Sequence, residues 1–336
     1  MNPIAALPES QHGVRCLIFN GDAAPEVVAD LNDISEVLAD GEHFVWFDIA
    51  QPSAEDLAVL QREFDLHPMA IEDAALWHER PKIEFFGDYL LIVVHGASLD
   101  PTGALVTHEI AIFAGSRFVV TIRATPLYPL DEIEKRWKTK INIPHTSTGL
   151  VYTILDVIVD DFFPLTTEYD ERLVRLESHL FDKGGALDRM EREIFRFKRA
   201  LGVFRNIAAP MREILGRLMH AEVRPLEPGL SLYFRDVQDH VLRALEQIET
   251  TRDLLNSTFD LHLATESHRQ AQVGKQLTII ATIFLPLTYI TGFFGQNFGW
   301  MVNGIASPWI FWFLGVGAQL GALTILFWYF RKKGYF

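Results

Sequence analysis

A single cysteine, Cys16, rules out any disulfide within the chain and any paired-thiol redox motif, and a lone thiol of this kind reads as a buried structural residue. Basic residues are also in deficit. Against 44 Asp and Glu stand 30 Lys and Arg, a net charge of −14, which argues against a nucleic-acid partner and for attraction of cations to the surface, without identifying a cation. The opening stretch MNPIAALPESQHG has neither a basic region nor an apolar core, so it predicts no cleaved signal peptide. HExxH, Walker, GxSxG and CxxC motifs are all missing, and GVGAQLG near the C-terminus lacks the strand and βαβ context of a dinucleotide loop. The chain therefore reads as no enzyme, with no required cofactor and no ATP site.

The most informative absence is local. From Gln276 to Phe330 there is no Asp, Glu, Lys or Arg. Within that stretch LTIIATIFLPLTYITGFF (Leu277 to Phe294) and PWIFWFLGVGAQLGALTILFWYF (Pro308 to Phe330) are each long enough to cross roughly 30 Å of hydrocarbon. Between them GQNFGWMVNGIAS, rich in Gly and Asn, reads as a short loop. Arg269 and Lys275 precede the first span, and Arg331, Lys332 and Lys333 follow the second, which places both termini in the cytoplasm. Trp309, Trp312, Trp328 and Tyr329 sit at span ends, where aromatic belts belong, and Gly317 and Gly321 have the spacing of close helix packing.

The charged remainder divides by pattern. Residues 1–148 alternate β-like runs (RCLIFN, HFVWFDIA, EFFGDYLLIVVHG) with helical ones and predict an α/β domain. THEIAIFAGSRFVVTIRA reads as a hairpin turning at Ala114-Gly115-Ser116, SAEDLAVLQREF as a helix capped by Ser53 with Asp56 three residues on, and PLDEIEKRWK as a second helix. Residues 149–275 carry long helical patterns, broken at Gly184-Gly185 and at RPLEPG (Arg224 to Gly229). No proline occurs from Ser231 until Pro286, and Val237, Val241, Ala244 or Leu245, Ile248, Leu255 and Phe259 trace a near-heptad seam. One helix from Ser231 through Phe294 would measure roughly 100 Å at about 1.5 Å per residue. Residues 276–336 complete the chain as a membrane hairpin with a basic tail. The overall class is α+β.

The block LTIIATIFLPLTYITGFFGQNF resembles the first transmembrane helix and Gly-x-Asn signature of the CorA family of divalent metal ion transporters, with Gln296 where Met is usual, as in the zinc-transporting ZntB branch. LHPMAIEDAALWHERPKIEFFGDYLLIVV and YFRDVQDH resemble the family's cytoplasmic domain and stalk helix, and RKKGYF its basic tail. The resemblance implies a homopentamer in the inner (plasma) membrane with a central pore lined by the first span, carrying a divalent cation. It differs from the magnesium-transporting pattern in the outward loop, where FGWMVNGI replaces Met-Pro-Glu-Leu and carries no acid. Mg²⁺, Zn²⁺, Co²⁺ and Ni²⁺ therefore all stay open as cargo.

Site residues follow. Gly295, Gln296 and Asn297 form the expected selectivity filter: glycine with φ above zero ends the helix, its last carbonyls face an arriving cation at the negative end of the dipole, and Asn297 adds a neutral amide oxygen. Neutral oxygens touching the hydration shell select a divalent ion without trapping it. One helical face carries Gly274, Leu277 or Thr278, Ala281, Leu285 and Thr288. By resemblance Leu277 and Leu285 match the hydrophobic gate and Thr288 the polar ring, and Pro286 is expected to kink the helix there; simple helix-on-helix packing is the alternative. Two spans cannot enclose a pore, so a symmetric oligomer follows. The resemblance also assigns regulatory divalent-ion binding to Glu72, Asp73 and Asp236, with Asp239 one turn on; ordinary solvated helix faces would look the same. His12, His43, His67, His78, His95 and His108 lack metal-ligand spacing and read as structural, while His262 and His268 lie on the long helix. A membrane-anchored sensor or scaffold without transport would share this topology.

Overall fold

The computed structural model describes residues 14–19, 26–27, 34–39, 41, 43–76, 79–125, 130–139, 143–181, 187–219, 229–296, 298–304 and 307–334. The chain forms two compact units, Met1–Thr258 and Phe259–Phe336.

In the first unit the order is β1 (Val14–Phe19), β2 (Glu26–Val27), α1 (Ile34–Ala39), β3 (Phe44–Ala50), α2 (Ala54–Glu63), α3 (Pro68–Ala75), β4 (Lys82–Phe86), β5 (Tyr89–Leu99), β6 (Leu105–Gly115) and β7 (Phe118–Arg123). Helices α4 (Leu130–Thr139), α5 (Ser147–Asp160), α6 (Phe162–Phe181), α7 (Leu187–Leu218) and α8 (Ser231–Phe294) follow. The seven strands make one sheet in the order β2-β1-β3-β7-β6-β5-β4, antiparallel throughout except for the parallel pair β3 and β7.

Strand alternation sorts β3 between two layers. Val45, Phe47 and Ile49 join Leu60 of α2, Phe64 just after it, and Ala70 and Ala74 of α3 in one core, while Trp46 on the other face meets Trp137 of α4 edge-on at 6.0 Å. Helix α5 is buried all round from Ser147 to Val159, and is accordingly apolar apart from Ser147, Thr148, Thr153 and Asp156. The expected capping box is present: Asp56 N–H donates to Ser53 Oγ at 3.2 Å and Ser53 N–H donates to Asp56 Oδ2 at 2.8 Å. Burial pushes the Cys16 thiol up to about 12, so it stays protonated and unreactive.

Two readings change. EFFGDYLLIVVHG is two strands, because Gly87 takes φ +66° and turns β4 back onto β5. The β6–β7 turn falls at Ser116-Arg117, slightly later than expected, since Ala114 still pairs with Val119. The break at Gly184-Gly185 and most of RPLEPG lie outside the described residues.

Helix α8 is continuous from Ser231 to Phe294 and carries Pro286 within it. Its buried positions are Phe234, Val237, Val241, Ala244, Ile248, Thr251, Leu255 and Thr258, a strict alternation of three and four. The seam chooses Ala244 over Leu245 and Thr258 over Phe259, because Thr258 Oγ1 donates to Glu177 Oε1 of α6 at 2.8 Å. Thr251 likewise donates to Asp170 of α6.

The second unit continues α8 and adds α9 (Gly299–Gly304), α10 (Pro308–Ile310), a π-helical segment at Phe311–Gly317 and α11 (Ala318–Lys332). Helix α8 and the run Pro308–Lys332 both contain stretches long and apolar enough to cross a membrane, and those stretches are not buried within the chain.

At the parallel pair, Asp48 of β3 faces Thr121 of β7 in register, and Arg123 grips the Asp48 carboxylate with Nε at 3.0 Å and Nη2 at 2.7 Å. Thr121 Oγ1 donates to Asp48 Oδ1 at 2.6 Å and accepts from Trp46 Nε1 at 3.2 Å. Burial pushes the Asp48 carboxyl up, and the Arg123 and Thr121 bonds oppose it. Arg123→Met strands a buried carboxylate and is expected to lower the denaturant unfolding free energy of the protein by about 3–5 kcal/mol. Pairing it with Asp48→Leu is expected to recover most of that loss; a double variant as unstable as the single one would show that the ion pair is not the source.

Candidate membrane site

The first span must satisfy its own polar groups, and its threonines show how. Thr278 Oγ1 donates to Gly274 O at 2.9 Å, Thr282 Oγ1 to Thr278 O at 2.7 Å, and Thr288 Oγ1 to Phe284 O at 2.8 Å. Each hydroxyl proton is thus used within the helix, and what the oxygen has left to offer outward is lone pairs. Such an oxygen suits a cation. Pro286 takes away the amide hydrogen that would close on the carbonyl of Thr282, and it stands next to Leu285 and two residues before Thr288.

Gly274, Leu277, Thr278, Ala281, Leu285 and Thr288 are all exposed, Leu277 at 67% and Leu285 at 72%. Leu277, Thr278, Ala281 and Leu285 line one open groove of about 590 Å³, which Thr282, Pro286 and Leu326 of α11 complete. The structure therefore brings four of the six face residues onto one surface. Gly274 and Thr288 lie outside that groove.

At the end of the span the helix closes differently from expectation. Gly295 does not take positive φ. Its N–H donates to Thr291 O at 2.9 Å, and the next amide, Gln296 N–H, reaches Phe293 O at 3.3 Å, so the last turn tightens to a three-residue step. A Cβ at 295 would stand 3.1 Å from the Thr291 carbonyl oxygen, a tight contact relieved only if that carbonyl gives by a few tenths of an ångström. Asn297 lies outside the described residues.

Gly295 and Gln296 border a cavity of about 630 Å³, together with Thr291, Phe311, Gly315 and Gln319. Gln319 was missed in the sequence. Its signal was available, as a lone amide inside an uncharged span is costly in hydrocarbon unless it faces a cavity or partner. The π-helical segment carrying Gly315 and Gly317 also had no period to betray it, and such segments recur at functional sites. A Cβ added at Gly321 would meet nothing within 4 Å.

The acidic positions sit in the first unit. Glu72 and Asp73 occupy α3. Asp73 Oδ2 is 2.6 Å from Lys82 Nζ, which also has Glu84 at 3.2 Å and Glu79 at 3.6 Å. Burial works against the Lys82 charge, yet its bonds to Asp73 and Glu84 hold it above the ordinary lysine value. Asp236 and Asp239 are exposed on α8, without an ion pair among the described residues. No group of three or more His, Cys, Asp or Glu with metal-holding geometry occurs among the described residues. His67 caps α3 by accepting from Met69 N–H at 3.2 Å, His108 lies between Ser98 and Thr125 at 2.8 and 3.0 Å, and His95 lies 3.4 Å from Glu109. His12 and His78 lie outside the described residues.

An α+β unit, a helix that runs on into an uncharged span, and a second span after a short Gly- and Asn-rich loop define a class: a membrane protein with two C-terminal spans. The chain belongs to the CorA family, matching the CorA-like Mg²⁺ transporter protein profile over residues 41–332. It is 32% identical over 313 residues to the cobalt/magnesium transport protein CorA of Thermotoga maritima, covering 90% of this chain and 86% of that protein. The divalent cation transporter CmaX of Pseudomonas aeruginosa is 25% identical, covering 75% and 76%. In fold, the complete CorA magnesium transporter of Methanocaldococcus jannaschii superimposes with a TM-score of 0.80 at 21% identity, over 96% of this chain and 98% of that one.

Gly292→Ala, with nothing within 4 Å of the new Cβ, is expected to stabilise the protein by about 0.5–1 kcal/mol, the ordinary gain of alanine within a helix. Gly295→Ala is expected to lower the melting midpoint of the detergent-solubilised protein, because the Thr291 carbonyl must move. Equal gains from both would refute the close-approach role of Gly295.

Proposed function

We propose that this chain is a subunit of a homopentameric channel that passes a divalent cation across the plasma membrane through a central pore lined by the first span. The observation that carries the reading is the outward surface of that span. Its apolar residues are exposed along one groove, its hydroxyl protons are tied to its own backbone, and the helix closes at a glycine packed against a carbonyl. In this assembly Gly295, Gln296 and Asn297 surround the outer mouth, both termini are cytoplasmic, and Leu277 and Leu285 form apolar rings whose dewetting holds the pore shut.

The chain's working parts are then residues 1–148, 149–275 and 276–336: regulatory domain, stalk and membrane hairpin. Magnesium with cobalt, or zinc with nickel, are the two cargo classes, and the acid-free outer loop supports selection by neutral oxygens in either. The membrane potential contributes about 2.3 kcal/mol per charge per 100 mV, doubled for a divalent ion, so no phosphate-hydrolysing site is required. Cytoplasmic metal acts through Glu72, Asp73, Asp236 and Asp239. An ion there takes over the place that Lys82 now holds at Asp73, relieving carboxylate repulsion between neighbouring subunits.

Flux into proteoliposomes holding the purified protein tests this directly, with Mg²⁺, Zn²⁺, Co²⁺ and Ni²⁺ in competition. Asn297→Ala is expected to abolish uptake while leaving the oligomer assembled; uptake at the native rate would remove Asn297 from the filter. No flux of any of the four ions in the native protein would favour the reading as a membrane-anchored sensor.

Leu285→Ser is expected to raise basal flux several-fold, since a wetted ring no longer blocks ions. An unchanged or lower rate in correctly assembled protein would place the gate elsewhere.

A further inference from the structure

The first unit holds a groove of about 580 Å³ that takes no part in the membrane site. One wall is the turn between β5 and β6, residues Thr102 to Leu105, and the other is the face of α6 and α7. Arg172 of α6 and Arg192, Arg196 and Arg199 of α7 all line it, with Glu193 as the single acid among the described lining residues. The α7 arginines are spaced by four and three, which stacks them on one face of the helix.

What sets these four apart is that they share one groove and none of them has an ion pair among the described residues. In a chain of net charge −14, arginines have acids in plenty to choose from. Arg205 on the same helix pairs with Glu249 at 3.2 Å, and Arg217 with Glu213 at 2.8 Å. Arg192, Arg196 and Arg199 have no ion pair among the described residues. Arg172 is fixed in place without an acid: its Nη2 donates to Gly103 O at 2.9 Å, and its guanidinium lies 5.9 Å from the centre of the Tyr169 ring. The nearby Asp100 carboxylate is turned into its own loop, accepting from Thr102 N–H and Ala104 N–H, each at 2.8 Å.

Four permanently charged guanidinium groups facing one groove repel one another, and an anion removes that cost. The groove is not wholly polar. Phe197, buried and stacked on Tyr169, lines it with Ala200, Val203 and Leu105, so the charged wall stands beside an apolar one. Planar guanidinium forks match phosphoryl oxygens, and an apolar surface accepts an organic ring.

We infer that the groove between the β5–β6 turn and α7 is a binding site for an organic polyphosphate of nucleotide size, held by Arg172, Arg192, Arg196 and Arg199. The inference stands apart from ion transport, because every lining residue belongs to the first unit and its readout is binding rather than flux.

Calorimetric titration of the full chain in detergent, with EDTA and about 0.15 M salt to screen general attraction, tests it with ATP, inorganic tripolyphosphate and adenosine as probes. ATP and tripolyphosphate are expected to bind saturably at one site per chain, ATP more tightly, and adenosine not at all. Arg196→Glu with Arg199→Glu is expected to weaken ATP about 100-fold, as two charged hydrogen-bonding groups are lost. Arg196→Lys with Arg199→Lys, which keeps the charge but not the fork, is expected to weaken it by less. Arg212→Glu, an exposed change on α7 outside the groove, is expected to have no effect. Absence of saturable ATP binding to the native chain would overturn the site. So would equal weakening by Arg212→Glu, or adenosine binding as well as ATP.

Discussion

Hydrocarbon contains no hydrogen-bonding partner for a peptide group, and that fact shapes the C-terminal quarter of this chain. An unpaired polar group there costs several kcal/mol, so both spans are helical and their threonines donate to carbonyls of their own helix. The same constraint explains why charge stops at Gln276 and returns only at Arg331. It also makes the exceptions informative. Pro286 leaves a carbonyl without its usual donor, Gln319 carries an amide into the second span, and seven residues of that span adopt π geometry. Irregular backbone and lone polar groups at membrane depth are tolerated where they line a cavity or face another subunit; in this chain Gln319 and the π-helical segment border the cavity at the end of the first span, and Pro286 lines the groove beside Leu285.

The soluble unit works under the opposite rule, since water is plentiful and only its interior is dry. Asp48 and Arg123 are buried at the one parallel pairing in the sheet, where both need each other and Thr121 supplies the remaining bond. Helix α8 is gripped through a heptad seam from Phe234 to Thr258, apolar for most of its length and finished by threonines that donate to acids of α6. Beyond Thr258 the seam has no further buried member, which coincides with the division into two units. A strict three-four spacing selects small Ala244 over larger Leu245 because periodicity, and not side-chain size, decides what faces inward.

Much of this was legible in advance. The two spans, the uninterrupted α8, the Ser53 capping box and most strands follow from periods of 3.6 and 2, which need only neighbouring residues. Family membership was legible too, because the blocks around Gly295, Asp73 and Asp236 keep their order along most of the chain. EFFGDYLLIVVHG reads as one run only if its Gly87-Asp88 is passed over; that pair is the hairpin turn, with positive φ at Gly87. Gly295 was expected to turn with positive φ, and instead admits a carbonyl at close range, a role that a glycine in sequence cannot announce.

The sequence by itself determined which segments are helix or strand, which are uncharged enough to leave water, and which family they belong to, since each of these is a property of contiguous residues. Tertiary structure alone decided which charges have partners. It set Lys82 against Asp73 and Arg123 against Asp48, and it gathered Arg172 with Arg192, Arg196 and Arg199 on one groove without an ion pair among the described residues. The physical reason is range: propensity and periodicity act through the covalent neighbourhood, while ion pairing depends on distances of a few ångströms between residues that folding brings together from afar.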